Sequence, residues 1–405
     1  MDRRTFLRRA VAGVAAAALP GGLAMVGAER VPRAPQTAAS SQEAFPFHGP
    51  NQAGILTPGP AAKQAAACYA AFDVVAANRA DLAALMQTVA NRARSLTSGV
   101  DPTESGDPPS DTVLGGPIPT DGLTVTLSFG ASLFDDRYGL AAQAPRHLTA
   151  MPVFPNDTPD PAWLHGDLLL QICANHPDTV HHALRDIAKR TRDGMQLRWK
   201  IEGYASPPRP SGTPRNLMGF KDGTANPTGN DASSLVWVTD PAEPAWALGG
   251  SYQVVRLIRL LVEFWDRIGL TEQQNLFGRS RDSGAPLDGS AEFDTPNYAA
   301  DPAGAVIPLS AHIRLANPRT AATADQRIVR RSYNYDLGVD LNGNLQAGHI
   351  FTCYQQDVER QFAMNQARLA GEPLVDYVQP FGGGYFYALP GVTDGKDWYG
   401  RRLLE

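Results

Sequence analysis

Residues 166–201 read GDLLLQICANHPDTVHHALRDIAKRTRDGMQLRWKI. Gly166–Ala174 is an almost unbroken apolar run of strand length, which predicts a buried strand. Pro177–Arg192 carries Val180, Leu184, Ile187 and Ala188 on one helical face, with proline in the first turn where its missing N–H costs nothing. Met195–Ile201 returns to strand character. Working outward, Ala66–Ala76 (AACYAAFDVVA) reads as a strand. Arg79–Thr97 places Leu82, Leu85, Met86, Val89, Ala90 and Ala93 in a helical stripe. Leu123–Phe129 alternates apolar and polar with period two and predicts a third strand. The Pro/Gly-rich, acidic residues 98–122 predict an exposed loop. The resulting order is strand, helix, strand, strand, helix, strand, which suits an α+β ferredoxin-like unit with an antiparallel sheet.

The pattern recurs after Ser206–Arg215, SPPRPSGTPR, whose prolines predict a linker over 206–215. Ser234–Val238, Ser251–Leu260, Ser332–Val339, Gly348–Tyr354 and Gly384–Leu389 read as strands. Thr271–Phe277 and Asp357–Ala370 read as helices, the latter with Val358, Phe362 and Leu369 on one side. Arg281–Pro308 reads as a loop. The expectation is a pair of duplicated ferredoxin-like domains with antiparallel sheets, one over 45–205 and one over 216–405, without a residue-level repeat.

The amino terminus is set apart. Arg3-Arg4 before Thr5-Phe6-Leu7 reads as a twin-arginine export signal over residues 1–28, with Val26-Gly27-Ala28 offering a cleavage point near Ala28. Pro20-Gly21-Gly22 interrupts the apolar stretch, which is too broken for a membrane span; an uncleaved anchor is the alternative. Residues 29–44 read as a flexible tail. Cargo of this route crosses already folded, often with its cofactor inserted, so a tightly held prosthetic group is expected, as is a periplasmic or extracellular destination. The net charge of −5 gives no support for a nucleic-acid partner. Cys68, Cys173 and Cys353 stand singly in apolar surroundings and read as buried free thiols. The sequence contains no HExxH, GxSxG, GxGxxG or P-loop motif, which removes support for zinc hydrolysis, serine hydrolysis and nucleotide chemistry.

Chemistry concentrates in Ala311–Ser332, AHIRLANPRTAATADQRIVRRS, where a histidine suited to metal ligation precedes Arg330 by eighteen residues. Together with MGFKDGTANP at Met218–Pro227, FHGPNQAGILTP, RDSGAPL and the closing GGGYFYALPG, this stretch resembles the dye-decolourising peroxidase family over nearly the whole mature chain. Within that family it is most similar to the exported class that includes deferrochelatase/peroxidase proteins.

The resemblance implies one haem b per chain, held mainly by the C-terminal half, with His312 as the iron ligand. It makes Glu372 the candidate carboxylate on the other ring nitrogen, favouring a high-valent iron state; Asp357 and Asp376 are alternatives. Asp222 in GFKDG would move the peroxide proton, and Arg330 would orient peroxide and stabilise the leaving oxygen. Arg331, next along a strand, would point away. Gly223, Thr224 and Ala225 would line the pocket, as would Asn317 and Pro318. Arg319, or Arg314, would pair with a propionate. Trp237, Trp246, Trp265, Tyr335 and Tyr385 are candidate electron relays, with core packing the competing role.

The expected partners are hydrogen peroxide, small electron donors such as dyes and phenols, and the twin-arginine translocation machinery; a homo-oligomer is left open. The implied reaction is peroxide-dependent oxidation of those donors. Removal of iron from haem with the porphyrin intact, as in iron acquisition, is the alternative. With a carboxylate as the acid/base group, whose ordinary pKa is about 3.9 against about 6.5 for histidine, dye oxidation is expected to be best at mildly acidic pH. A steady-state profile rising through pH 8 would contradict that role for Asp222.

Overall fold

The computed structural model describes residues 43–100, 111, 113–115 and 118–405. The export signal, nearly all of the 29–44 tail and much of the 98–122 loop lie outside the described residues. Residues 39–405 form one compact unit.

The N-terminal half runs β1 (Ala66–Val74), α1 (Arg79–Thr97), β2 (Thr124–Gly130), β3 (Leu168–Ala174), α2 (Pro177–Arg190) and β4 (Met195–Tyr204). Its strands lie in the order β4-β1-β3-β2, all antiparallel. The C-terminal half contributes α3 (Gly229–Val236), β5 (Ser251–Leu260), α4 (Val262–Trp265), α5 (Leu270–Phe277) and α6 (His312–Ala316). It continues with β6 (Val329–Arg330), β7 (Tyr333–Val339), β8 (Leu345–Gln355), α7 (Met364–Leu369) and β9 (Val378–Ala388). Its order β7-β8-β5-β9 repeats the ferredoxin-like arrangement. The two sheets join edge to edge. Ser128–Gly130 of β2 pair with Phe386–Ala388 of β9, and Tyr204 of β4 faces Asn334 of β7. Those seams close eight strands into an antiparallel barrel, which leaves no free edge along the ring.

Side-chain alternation sorts the two faces. On β1, Cys68, Ala70, Phe72 and Val74 join Leu82, Met86 and Val89 of α1 and Val180 and Ile187 of α2 in one buried cluster. The intervening Ala67, Tyr69 and Ala71 join Val255, Leu257, Tyr333, Tyr335 and Ile350 in a second, inside the ring. Burying a side chain the size of Leu82 or Met86 contributes about 1.5–3 kcal/mol, well above any difference in helix propensity. Asn78 starts α1 by accepting the Asp81 N–H at 3.0 Å. All three cysteines are buried and free. No helix among the described residues is long and apolar enough to cross a membrane.

Two expected elements differ. Ser234–Val238 is not a strand: its first half closes α3, where Ala232, Leu235 and Val236 are buried at helical spacing. Ser-Leu-Val-Trp-Val is too short to distinguish periods of two and 3.6. The helix expected over 357–370 opens as a π turn, Glu359–Ala363, before α7.

β6 and β7 form one line on the edge of β8. Val329 faces Tyr354, Arg330 faces Cys353, the Arg331 N–H donates to Thr352 O at 2.8 Å, and Tyr333 faces Ile350. The unbroken register sends Arg330 and Arg331 to opposite faces. Arg331 is fully buried inside the ring, where its guanidinium donates to Pro58 O at 2.7 Å and to the Gln64 side chain.

Gly383 on β9 has φ +106°, and a Cβ there would lie 2.0 Å from the Val255 carbonyl oxygen. Gly383→Ala is therefore expected to lower the unfolding free energy by about 3 kcal/mol or more, read from urea denaturation. A loss under about 1 kcal/mol would mean that β5 and β9 separate more easily than their register implies.

Candidate active site

His312 opens α6, a helix of five residues. Its Nδ1 lies 2.8 Å from Glu372 Oε2, and Glu372 is only 6% exposed. Burial disfavours the charged ring, but the Glu372 carboxylate outweighs it and the His312 pKa is raised. The carboxylate accepts from Nδ1 and leaves Nε2 as the ring nitrogen able to bind a metal. Phe277 stands edge-on to the ring at 6.0 Å, and Trp265 meets Phe277 at 5.8 Å. The alternative carboxylates are elsewhere: Asp357 accepts the N–H groups of Glu359 and Arg360, and Asp376 is exposed.

The GFKDG loop distributes its side chains in three directions. Phe220 stacks on Phe277 at 4.0 Å between ring centroids. Lys221 pairs with Glu292 at 2.6 Å. Asp222, whose N–H donates to Pro214 O at 2.9 Å, meets Arg330 Nη1 through Oδ1 at 2.8 Å. Gly223 has φ +99°, a conformation that turns the chain sharply after the carboxylate. Burial would push the Asp222 pKa up, but Arg330 above all, then His349 and Lys63, hold it well below the usual carboxylate range. His312 feels the charges of Arg330 and Asp222 as well as that of Glu372, so the two groups share one region.

Several residues here were not among the expected site residues. Asn226 holds the Arg330 backbone from both sides, donating to its carbonyl at 2.8 Å and accepting its N–H at 3.0 Å. Lys63 reaches in from the N-terminal half, donates to Ser332 O and lies 4.8 Å from the Tyr333 ring centroid. Its pKa is pushed down to about 8, first by burial, with Asp222 opposing. Lys63, Asp222, Gly223, Asn226 and Arg330 line one cavity with Thr213. His349 Nε2 stands 3.3 Å from Asp222 Oδ2. Each is brought in by long-range pairing, which no local pattern encodes.

Other expected residues fall outside this cluster. Thr224 turns its hydroxyl to Thr213 and Glu292, both at 3.1 Å, and Ala225 is exposed. Asn317 and Pro318 follow α6, where Asn317 Oδ1 accepts the Arg319 N–H at 3.2 Å. Arg314 is committed to Asp301 and the Ile307 carbonyl. Trp246, Trp265, Tyr335 and Tyr385 are buried, whereas Trp237 is partly exposed.

The donor set fits haem better than a bare ion. Among the described residues no group of three or more His, Cys, Asp or Glu side chains converges on a metal position. A metal at His312 would therefore take most of its ligands from outside the protein, as haem iron does. Buried Arg279 feels the charges of Arg319 and Arg330. Neither Arg279 nor Arg319 has a carboxylate partner among the described residues, so two cations are available to an anionic ligand edge.

The Dyp-type peroxidase N-terminal and C-terminal family models match residues 52–205 and 213–393, so the chain belongs to the Dyp-type peroxidase family and is a haem peroxidase. Among its relatives, a deferrochelatase of Escherichia coli K12 is 52% identical, with 98% of this chain and 96% of that protein covered. A DyP-type peroxidase from Cellulomonas bogoriensis superimposes with a TM-score of 0.82 at 34% identity, covering 91% of this chain and all of the other. Ferric DtpA from Streptomyces lividans gives 0.82 and 34%, covering 90% and 98%.

The depressed pKa of Asp222 has a stability consequence with a definite sign. A folded-state pKa below the unfolded value of about 3.9 contributes stability that is present above that pH and lost as pH falls through the folded pKa. Asp222→Asn should remove this component, so the variant should lose less stability than the parent between about pH 4 and pH 2. Unfolding free energies measured across that range check it; parallel curves would place Asp222 in a neutral environment.

Proposed function

We propose that one haem b per chain sits between His312 and the Asp222–Arg330 pair, held mainly by the C-terminal half. The single observation that carries this is the ion pair Asp222–Arg330 at 2.8 Å, close enough to His312 for both charges to act on its ring. Haem, when bound, supplies the redox chemistry that couples peroxide cleavage to oxidation of a donor.

The protein's own residues handle binding and protons. His312 would hold the iron through Nε2, while Glu372 accepts a hydrogen bond from Nδ1 and keeps the ring oriented. Ionised Asp222 takes a proton from one peroxide oxygen and returns it to the other. Arg330, always charged, keeps Asp222 ionised and stabilises negative charge on the departing oxygen. Arg279 and Arg319 would supply cations for the propionates, with Arg279 held by the carbonyls of Gly284 and Glu292. Dyes and phenols are the donor class, and the twin-arginine signal read in residues 1–28 supports export to the periplasm or beyond.

Asp222→Ala should slow the reaction with peroxide by about 10²–10⁴-fold, and Arg330→Leu by about 10²–10³-fold. Stopped-flow absorbance of the holoprotein reads both, and unchanged rates in both variants would refute the assignment. His312→Ala should lose haem on gel filtration.

The relatives named deferrochelatase favour a second reading, iron release with the porphyrin intact. It uses the same His312 pocket. Metal-free porphyrin accumulating from haem under reducing conditions, without peroxide, would support it.

A further inference from the structure

His349 has a geometry that the acid/base pair alone does not explain. It lies on β8 between Ile258 of β5 and Asn334 of β7 in the register. Arg330 faces Cys353 on the same strand, and Cys353 and His349 are four residues apart, so the two side chains leave the sheet on one face. From there they reach the two oxygens of one carboxylate. Arg330 Nη1 stands 2.8 Å from Asp222 Oδ1, and His349 Nε2 stands 3.3 Å from Oδ2. The other ring nitrogen, Nδ1, is buried and has no hydrogen-bond partner.

That orphan nitrogen fixes the tautomer. Ionised Asp222 is an acceptor only, so the nitrogen facing it must carry the proton. Nδ1 is then a bare lone pair. Protonating it as well would bury an N–H with no acceptor, a worse arrangement. The charged groups around the contact are Arg330 from β6, Lys63 from the N-terminal half and His312 from α6, each of which acts on Asp222 or is acted on by it. The first two are cations, so the carboxylate remains ionised and acts as the acceptor for the Nε2–H of His349.

We propose that His349 is a positioning residue for the peroxide reaction: its Nε2–H holds Asp222 Oδ2 while Arg330 holds Oδ1, so that the carboxylate cannot swing. This rests on the acid/base role proposed for Asp222. A carboxylate gripped on one oxygen only is free to rotate about its last side-chain torsion, which is broad and soft. Gripped on both, it presents its remaining lone pairs in one direction. The proton leaves one peroxide oxygen for Asp222 and is returned to the other. The Nε2 proton of His349 stays on nitrogen throughout.

Cyanide supplies a readout separate from turnover, because HCN must also surrender its proton to bind as cyanide. His349→Leu, which removes the donor, should slow association of both peroxide and cyanide with the holoprotein by about tenfold or more. The KM for the reducing dye should stay within twofold. His349→Gln keeps an N–H donor of similar reach and should restore both association rates to within about threefold of the parent. Restoration by Gln separates positioning from a merely structural effect. If His349→Leu binds cyanide and peroxide at parental rates, or if Gln is as slow as Leu, the inference fails. Asp222→Ala in the same experiment keeps the two ideas apart. Parental rates in that variant would overturn the role of Asp222 itself; slow rates there with parental rates in His349→Leu would overturn only the role of His349.

Discussion

The antiparallel register of residues 329–336 against β8 is the constraint on which the site depends. One line of backbone hydrogen bonds runs from Val329 opposite Tyr354 to Asp336 opposite Ala347. Because a strand alternates faces, that register assigns adjacent arginines to different environments. Arg330 goes to the carboxylate of Asp222, and Arg331 into the ring. A slip of one residue would turn Arg330 into the ring and take it away from Asp222.

Arg331 links this register to the other half of the protein. A guanidinium without a carboxylate partner is costly to bury, and here a backbone and an amide oxygen accept from its two terminal nitrogens, while Nε is left without a partner. Tyr69 reinforces the same point by donating to the Arg331 carbonyl at 3.3 Å. Arg331 faces away from Asp222, as expected, and has a structural task of its own. It ties the C-terminal edge strand to the Pro58–Gln64 segment of the other half. The same segment supplies Lys63, so the closure of the barrel and the composition of the cavity are one event.

The two faces of the proposed haem site follow different structural logic. On the His312 side a very short helix presents the ring, and a distant turn supplies the carboxylate that orients it. On the Asp222 side a tight loop presents the acid/base group, and the sheet supplies the cations and donors that fix its charge and direction. The mobile character of a loop is thereby removed at the one side chain that needs a fixed position, while Phe220 anchors the loop in the aromatic cluster around Phe277 and Trp265.

The sequence by itself determined the elements whose information is local. The stripe of α1 and the boundaries of β5 were readable because periodicity is a property of neighbours in the chain. So were the GFKDG turn and the opposite orientation of Arg330 and Arg331. The 234–238 run, SLVWV, was not, since so short a run satisfies either period. The family resemblance pointed to Glu372, but the residues alone left Asp357 and Asp376 open, because sixty positions separate His312 from the carboxylate that reaches it. Lys63, His349 and Arg279 carried no signal at all, and nothing within MGFKDGTANP marked Asn226 as the residue that holds Arg330. Each is an ordinary polar residue in an ordinary local context. Only the closing of two sheets into one ring, with the loops packed over its outer face, decides which oxygen or cation stands opposite which. That is a matter of long-range register and burial, and no window of sequence contains it.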